Sequence, residues 1–169
     1  MNTVRSAILL LVLLGVAMAQ PANVVPALYN GMVFLRSSQD YNAEHGVANS
    51  VMNRVPGQGA GCWAPYSMNT NQWIMASSIT PFGVKGIAIQ GRYDYDQWVT
   101  SFQIHYSLDG INWTQMYNGG STTFYGNSDR NTPVYINFPS TITVRNILIK
   151  PLTWYGGIAL RWEVFIPFF

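Results

Sequence analysis

Between Trp98 and Tyr106 the chain reads WVTSFQIHY, in which Trp98, Thr100, Phe102, Ile104 and Tyr106 alternate with Val99, Ser101, Gln103 and His105. A period of two places the first set on one face of a strand and the second set on the other. Ile158, Leu160, Trp162, Val164 and Ile166 repeat the pattern near the end, with Arg161 and Glu163 on the opposite face. GVKGIAIQ, VYINF and VRNILIK add shorter apolar runs. Clusters of Gly, Pro, Asn and Ser separate these runs at intervals typical of an all-β sandwich or barrel. Beyond the N-terminus no segment has a helical period, and there is no internal repeat or low-complexity linker. The pattern therefore predicts one β domain.

The N-terminus departs from this pattern. After Arg5 and Ser6 comes AILLLVLLGVAMA, which closes on Ala17-Met18-Ala19 and meets Gln20-Pro21. This predicts a signal peptide over residues 1–19, cleaved after Ala19, since the apolar run is too short for a membrane span. The expectation is a secreted, extracellular protein with a single domain over residues 20–169. That length suffices to bury roughly two-thirds of the unfolded surface.

Charge narrows the partners. The chain has a formal net charge of +2, only 9% charged residues and 14% aromatic residues. Such a balance points away from nucleic acid, and leaves polarity to Asn, Ser, Thr, Gln and Tyr, which hydrogen-bond neutral ligands. Cys62 is the single cysteine, so no intrachain disulfide can form. Asp109-Gly110, between IHYS and a strand starting at Asn112, predicts a tight hairpin. That hairpin would let Tyr106 and Trp113 bury their rings against a common core.

The ordered segments WVTSFQIHYSLDGINW, FYGNSDRNTPVYINF and VRNILIKPLTWYGGIALRWEV resemble the discoidin domain, also called the coagulation factor V/VIII C-type domain. Within that family, QGR-x-D-x-DQWVTS, DRNT, PLTW and LR-x-E are similar to the amino-terminal domain of the discoidin lectins. The similarity runs from about Asn30 to Phe165. It implies an eight-stranded β-sandwich of jelly-roll type with binding loops at one end, and a non-catalytic module that binds carbohydrates, anionic lipids or proteins. Trp162 stands where the discoidin lectins carry a cysteine, and Arg92-Tyr93-Asp94 stands in place of their Arg-Gly-Asp, so an integrin-type motif does not carry over. No cofactor is implied. A structural calcium ion, held by some members, would have to rest here on carbonyls and Glu163, because VPGQGAGCW brings no acidic side chain.

In this fold the binding loops follow the first strand and the QGR strand, which directs attention to 40–63 and 92–97. The expected ligand-binding residues are Arg92, Tyr93, Asp94, Tyr95 and Asp96, with Tyr41 and Asn49 from the other loop. Arg92, Asp94 and Asp96 offer donors and acceptors for sugar hydroxyls, and the tyrosines offer flat faces for a pyranose. Arg92 and Asp96 could equally form an ion pair that shapes the loop. Trp98 reads as a core or rim anchor. Enzyme readings lack parts: His45 and His105 lie far apart, Asp94 and Asp96 have no second acidic region, and one cysteine makes neither a zinc site nor a redox pair. Cys62 reads as a partly buried or intermolecular thiol. Asn112-Trp113-Thr114 fits a glycosylation acceptor. The leading reading is a secreted, lectin-like carbohydrate-binding module in cell adhesion or cell-surface recognition. Its partners would be extracellular glycans of galactose or N-acetylgalactosamine type, and self-association is an available route to valency. The alternatives are a peripheral membrane-binding module, for which Met52 and Val55 beside Arg54 would be the apolar tips, and a protein-interaction or matrix component.

Overall fold

The computed structural model describes residues 19–57 and 59–168. The expected leader lies outside the described residues except for Ala19. Eight strands form in chain order. They are β1 Val24–Pro26, β2 Phe34–Ser37, β3 Ile74–Gln90, β4 Trp98–Ser107, β5 Thr114–Gln115, β6 Phe124–Tyr125, β7 Val134–Tyr155 and β8 Arg161–Pro167. The described residues add two single-turn 3-10 helices, Ala43–His45 and Val47–Asn49.

Every strand pairing is antiparallel, and two long strands join the layers. The first half of β3 pairs with β2 and with the second half of β7, which pairs in turn with β4. The second half of β3 pairs with β8 and with the first half of β7, while β1 extends β8. The β3–β7 register slips between Ser77 and Phe82 and between Val84 and Gly86. Each slip bends the pair, so one strand serves two sheets. Side chains from both inner faces fill the space between them, with Trp63, Trp162, Phe102, Ile74, Ile87, Ile89, Ile104, Ile147 and Ile149 among the fully buried. The predicted eight-stranded β-sandwich is the observed one.

Strand β4 departs from its predicted phase. Its register with β7 shifts at Val99/Ser101 and again at Ser101/Phe102. Val99 and Ser101 therefore point inward along with Phe102 and Ile104, whereas Trp98 and Thr100 point out. The irregularity receives the segment that follows β6. Gly126 N–H donates to the Thr100 carbonyl and Asn127 N–H to that of Val99 (both 2.8 Å), and a Cβ at Gly126 would collide with the Val99 carbonyl. Trp98 instead stacks on Tyr155 at 4.5 Å, a rim anchor rather than a core one.

The connection after β4 also differs. It spans residues 108–113, longer than a two-residue turn, because Tyr106 pairs with Thr114. Gly110 has φ +75. Asp109 acts through its carboxylate, which accepts from the N–H groups of Ile111 and Asn112 (both 2.8 Å) and from Asn112 Nδ2 (2.7 Å). Those donors hold its pKa well below the carboxylate range, the Ile111 N–H contributing most. Tyr106 packs against the core, but Trp113 is 38% exposed on the outer side of the sheet, so the two rings do not share a core.

On β8 both faces are buried. Trp162 and Val164 face the core, while Arg161 and Glu163 lie under neighbouring backbone. Segments 27–29 and 50–52 cover that side: Ala27 N–H donates to the Val164 carbonyl, and Ser50 and Met52 bracket Trp162.

Candidate functional site

The strand register decides which loops meet. Gln90, Val134 and Arg161 end or begin strands at one edge of the sandwich, and Trp98 lies beside Tyr155 there. Loops 91–97, 126–133 and 156–160 consequently emerge together, with the long 38–73 connection beside them. The 108–113 connection leaves from the opposite end of β4.

Arg161 binds these loops into one surface. Its buried guanidinium donates from Nε to the Gly91 carbonyl (2.8 Å), from Nη1 to that of Arg54 (3.2 Å), and from Nη2 to the Arg130 carbonyl (2.9 Å) and Asn131 Oδ1 (2.7 Å). It also lies 5.6 Å from the Tyr93 ring centroid. Burial pulls its pKa down, and its hydrogen-bond acceptors are neutral. Gln90 repeats the linkage, joining Asn53 and the Asn131 carbonyl. Asp129 accepts from Thr132 and Asn131, which lowers its pKa, Thr132 first.

Within 91–97 the ion pairing is divided. Arg92 Nε donates to Asp94 Oδ1 (2.8 Å) and Nη1 to Gln97 Oε1 (3.1 Å), and the guanidinium sits 5.5 Å from the Tyr95 ring. Asp96 lies 3.5 Å from Arg130 instead. Arg92 and Asp96 are therefore not partners, and each carboxylate has its own cation. The loop is backed by 156–157: Gln97 Nε2 reaches the Gly156 carbonyl (3.4 Å), and a Cβ at Gly156 would strike the Asp96 carbonyl.

The 38–66 segment supplies the second wall. Tyr41 N–H donates to the Ala64 carbonyl and Ala64 N–H to that of His45, which places Tyr41 beside Tyr66. Their rings stack at 6.1 Å, and His45 meets Tyr41 edge-on at 5.3 Å. Tyr66, 70% exposed, was not among the sequence candidates, although an aromatic residue two positions after a loop tryptophan's alanine was a usable signal. Burial lowers the His45 pKa, and the charge of Arg92 lowers it further. Asn42 Oδ1 accepts from the His45 backbone N–H and contacts Nδ1 at 2.8 Å.

The sequence candidates separate on this geometry. Tyr41, Tyr93, Asp94, Tyr95 and Asp96 are exposed, and Arg92 is half-buried beneath them. Asn49 is only 6% exposed, and its amide donates to the Ala43 and Glu44 carbonyls, so it braces the loop and presents no amide to solvent. Cys62 is fully buried among Ala60, Ala64 and Ala159, with burial pushing its thiol up to about 12; intermolecular pairing through it is not available. Val55 is exposed but Met52 is half-buried along a cavity of about 450 Å³ on the flank, so the two do not form paired apolar tips. Glu163 also lines that cavity, with its oxygens accepting from Leu28 (2.6 Å), Tyr29 (3.0 Å) and Val164 (2.9 Å) N–H groups. Burial nevertheless raises its pKa. No other acidic side chain lines that cavity and the Glu163 oxygens already accept from three backbone N–H groups, so this set does not suit calcium.

These features define a β-sandwich domain whose loops at one end carry exposed Tyr41, Tyr66, Tyr93 and Tyr95 together with Arg92, Asp94 and Asp96. Residues 35–164 match the F5/8 type C domain, and the chain belongs to that family. It is 42% identical over 154 residues to Discoidin-2 of Dictyostelium discoideum, covering 88% of this chain and 59% of that protein. The solved structure of wild-type discoidin II from the same organism superposes with a TM-score of 0.82 at 40% identity, over 88% of this chain and 60% of that one. A family 32 CBM from C. perfringens NanJ, in complex with galactose, shares the fold at a TM-score of 0.65 and 16% identity, over 85% and 98%. The chain thus spans about three-fifths of the length of the discoidins it matches.

Proposed function

We propose that this protein is a lectin-like carbohydrate-binding module, exported by the leader over residues 1–19 as a single domain over 20–169. It would act in adhesion or cell-surface recognition by holding galactose or N-acetylgalactosamine type sugars at the loop end. One observation carries the reading: the exposed, stacked Tyr41–Tyr66 pair and the Arg92–Asp94 pair stand on the two segments that Arg161 ties together through the Arg54 and Gly91 carbonyls. Tyrosine faces suit the apolar side of a pyranose. Asp94 gives Oδ1 to Arg92 and keeps Oδ2 for a sugar hydroxyl, so Arg92 orients the acceptor more than it contacts ligand. The galactose complex of the family 32 CBM and the kinship with discoidins support the same choice.

Calorimetry with methyl galactoside and N-acetylgalactosamine tests it on the mature protein. Losing a charge-assisted hydrogen bond costs about 1.5–3 kcal/mol, so Arg92→Ala and Asp94→Ala should each weaken binding about tenfold or more. Tyr66→Ala should weaken it as well. Unchanged affinity in all three folded variants would remove this surface from the site. An intact mass starting at Gln20 in the culture medium would support the leader.

A further inference from the structure

A second aromatic surface lies on the outer face of the β2–β3–β7–β4 sheet. Asn71, Trp73, His105, Trp113, Leu148 and Lys150 line a groove of about 240 Å³ there. Four segments build it. Trp73 precedes β3, His105 stands opposite Leu148 across β4 and β7, Gln103 stands opposite Lys150, and Trp113 folds back from the 108–113 connection. The residues come from a water-facing side of the sheet, where two indoles flanking one groove are unusual, since large aromatic surface is normally turned inward.

Its polar groups are of one sign. No carboxylate lines the groove, and among the described residues Lys150 has no ion-pair partner. Neither indole N–H of Trp73 or Trp113 has a hydrogen-bond partner among them either. His105 Nε2 lies 3.3 Å from Gln103 Oε1, and burial, with Lys150 next, keeps its pKa low. The ring thus stays a neutral donor or acceptor while the ammonium supplies the charge. The volume is below the roughly 300 Å³ at which drug-sized sites begin, so it suits a single ring.

We propose that this groove is a second saccharide site, for a pyranose bearing a carboxylate, that is, a uronic acid residue. The indoles of Trp113 and Trp73 take the apolar ring face, Lys150 takes the carboxylate, and His105 and Asn71 take hydroxyls. The inference goes beyond the galactoside reading, because both the place and the sugar class differ. Two sites at separate faces would also let one chain bridge two glycans.

The test is calorimetry on the mature protein with methyl galacturonide and, separately, methyl galactoside. Lys150→Gln and Trp113→Ala should each lower uronide affinity about tenfold or more, while Arg92→Ala leaves it unchanged and Lys150→Gln leaves galactoside binding unchanged. Trp113→Leu replaces Trp113→Ala should the latter fail to fold. Uronide affinity that survives in Lys150→Gln or disappears in Arg92→Ala would overturn the proposal, as would no uronide binding at millimolar concentration. So would complete displacement of the uronide by sodium sulfate at matched ionic strength, which would mean that the groove takes bare anions. The galactoside measurements report on the loop end independently.

Discussion

Arg161 carries the most structure per side chain. It holds three loop carbonyls and Asn131 from a fully buried position. Arg161→Met would fill similar volume but leave those acceptors unpaired, and each buried orphan costs about 1–3 kcal/mol. We expect a loss of at least about 3 kcal/mol in denaturant unfolding, together with weakened galactoside binding as loops 91–97 and 126–133 separate. An unchanged midpoint would mean that water replaces the guanidinium. Trp162 is a different kind of residue: it is fully buried in the core and its Nε1 is unpaired. Trp162→Ala should cost about 3–5 kcal/mol as a large-to-small core change, with the folded fraction still binding sugar normally. Cys62 should stay unreactive toward Ellman's reagent until denaturant is added, since its burial keeps the thiol protonated. Rapid labelling of the native protein would show that the 59–64 segment opens.

At the scale of elements, the 108–113 connection is held by two independent devices. The Asp109 carboxylate gathers donors, and Gly110 takes a positive φ with only Asn146 Nδ2 within 4 Å of an added Cβ, at 3.7 Å. Space is therefore available and backbone conformation is the obstacle. Gly110→Val should lower stability by about 1 kcal/mol or more through strain at φ +75, visible as a lower melting temperature. Galactoside affinity should be unchanged, because the connection lies away from the loop end. Strand β4 illustrates the other side of element-level reasoning. Its alternation is present in sequence, but the residues that receive Gly126 and Asn127 shift it, so Trp98 and Thr100 leave the face on which Phe102 stands.

The whole molecule should respond to mild acid through its histidines. Burial lowers the pKa of both His45 and His105 below 6.5, so the folded state resists their protonation. Above pH 6.5 neither state binds the proton and the stability they allow is fully present. As pH falls below 6.5 the unfolded chain protonates first, and stability drops until the folded pKa values are reached. Glu163 works with the opposite sign: its raised pKa favours the native state at low pH and costs stability as pH rises above 4.5. The clean measurement is therefore a difference. A His45→Gln/His105→Gln protein should lose less melting temperature than the natural chain between pH 7 and pH 5, and parallel curves would contradict the assignment.

Local periodicity determined much of this protein. The long apolar runs, the inward set Ile158, Leu160, Trp162 and Val164, and the fold class were legible, because alternation and turn chemistry act over a few residues. Family membership follows from motif order, and residues 35–164 carry it. Tertiary structure decided the rest. The slip in β4, the burial of Arg161 and Glu163 on a face that reads as polar, the pairing of Asp96 with Arg130, and the meeting of Tyr41 with Tyr66 all depend on segments distant in sequence. Asn49 and Asp94 are both short polar residues in expected binding loops, yet one amide is spent on carbonyls inside the loop and one carboxylate keeps an oxygen facing water. The physical reason is that a polar side chain's role is set by which partner reaches it first, and that partner is supplied by the bends in β3 and β7 that bring the loops to one end.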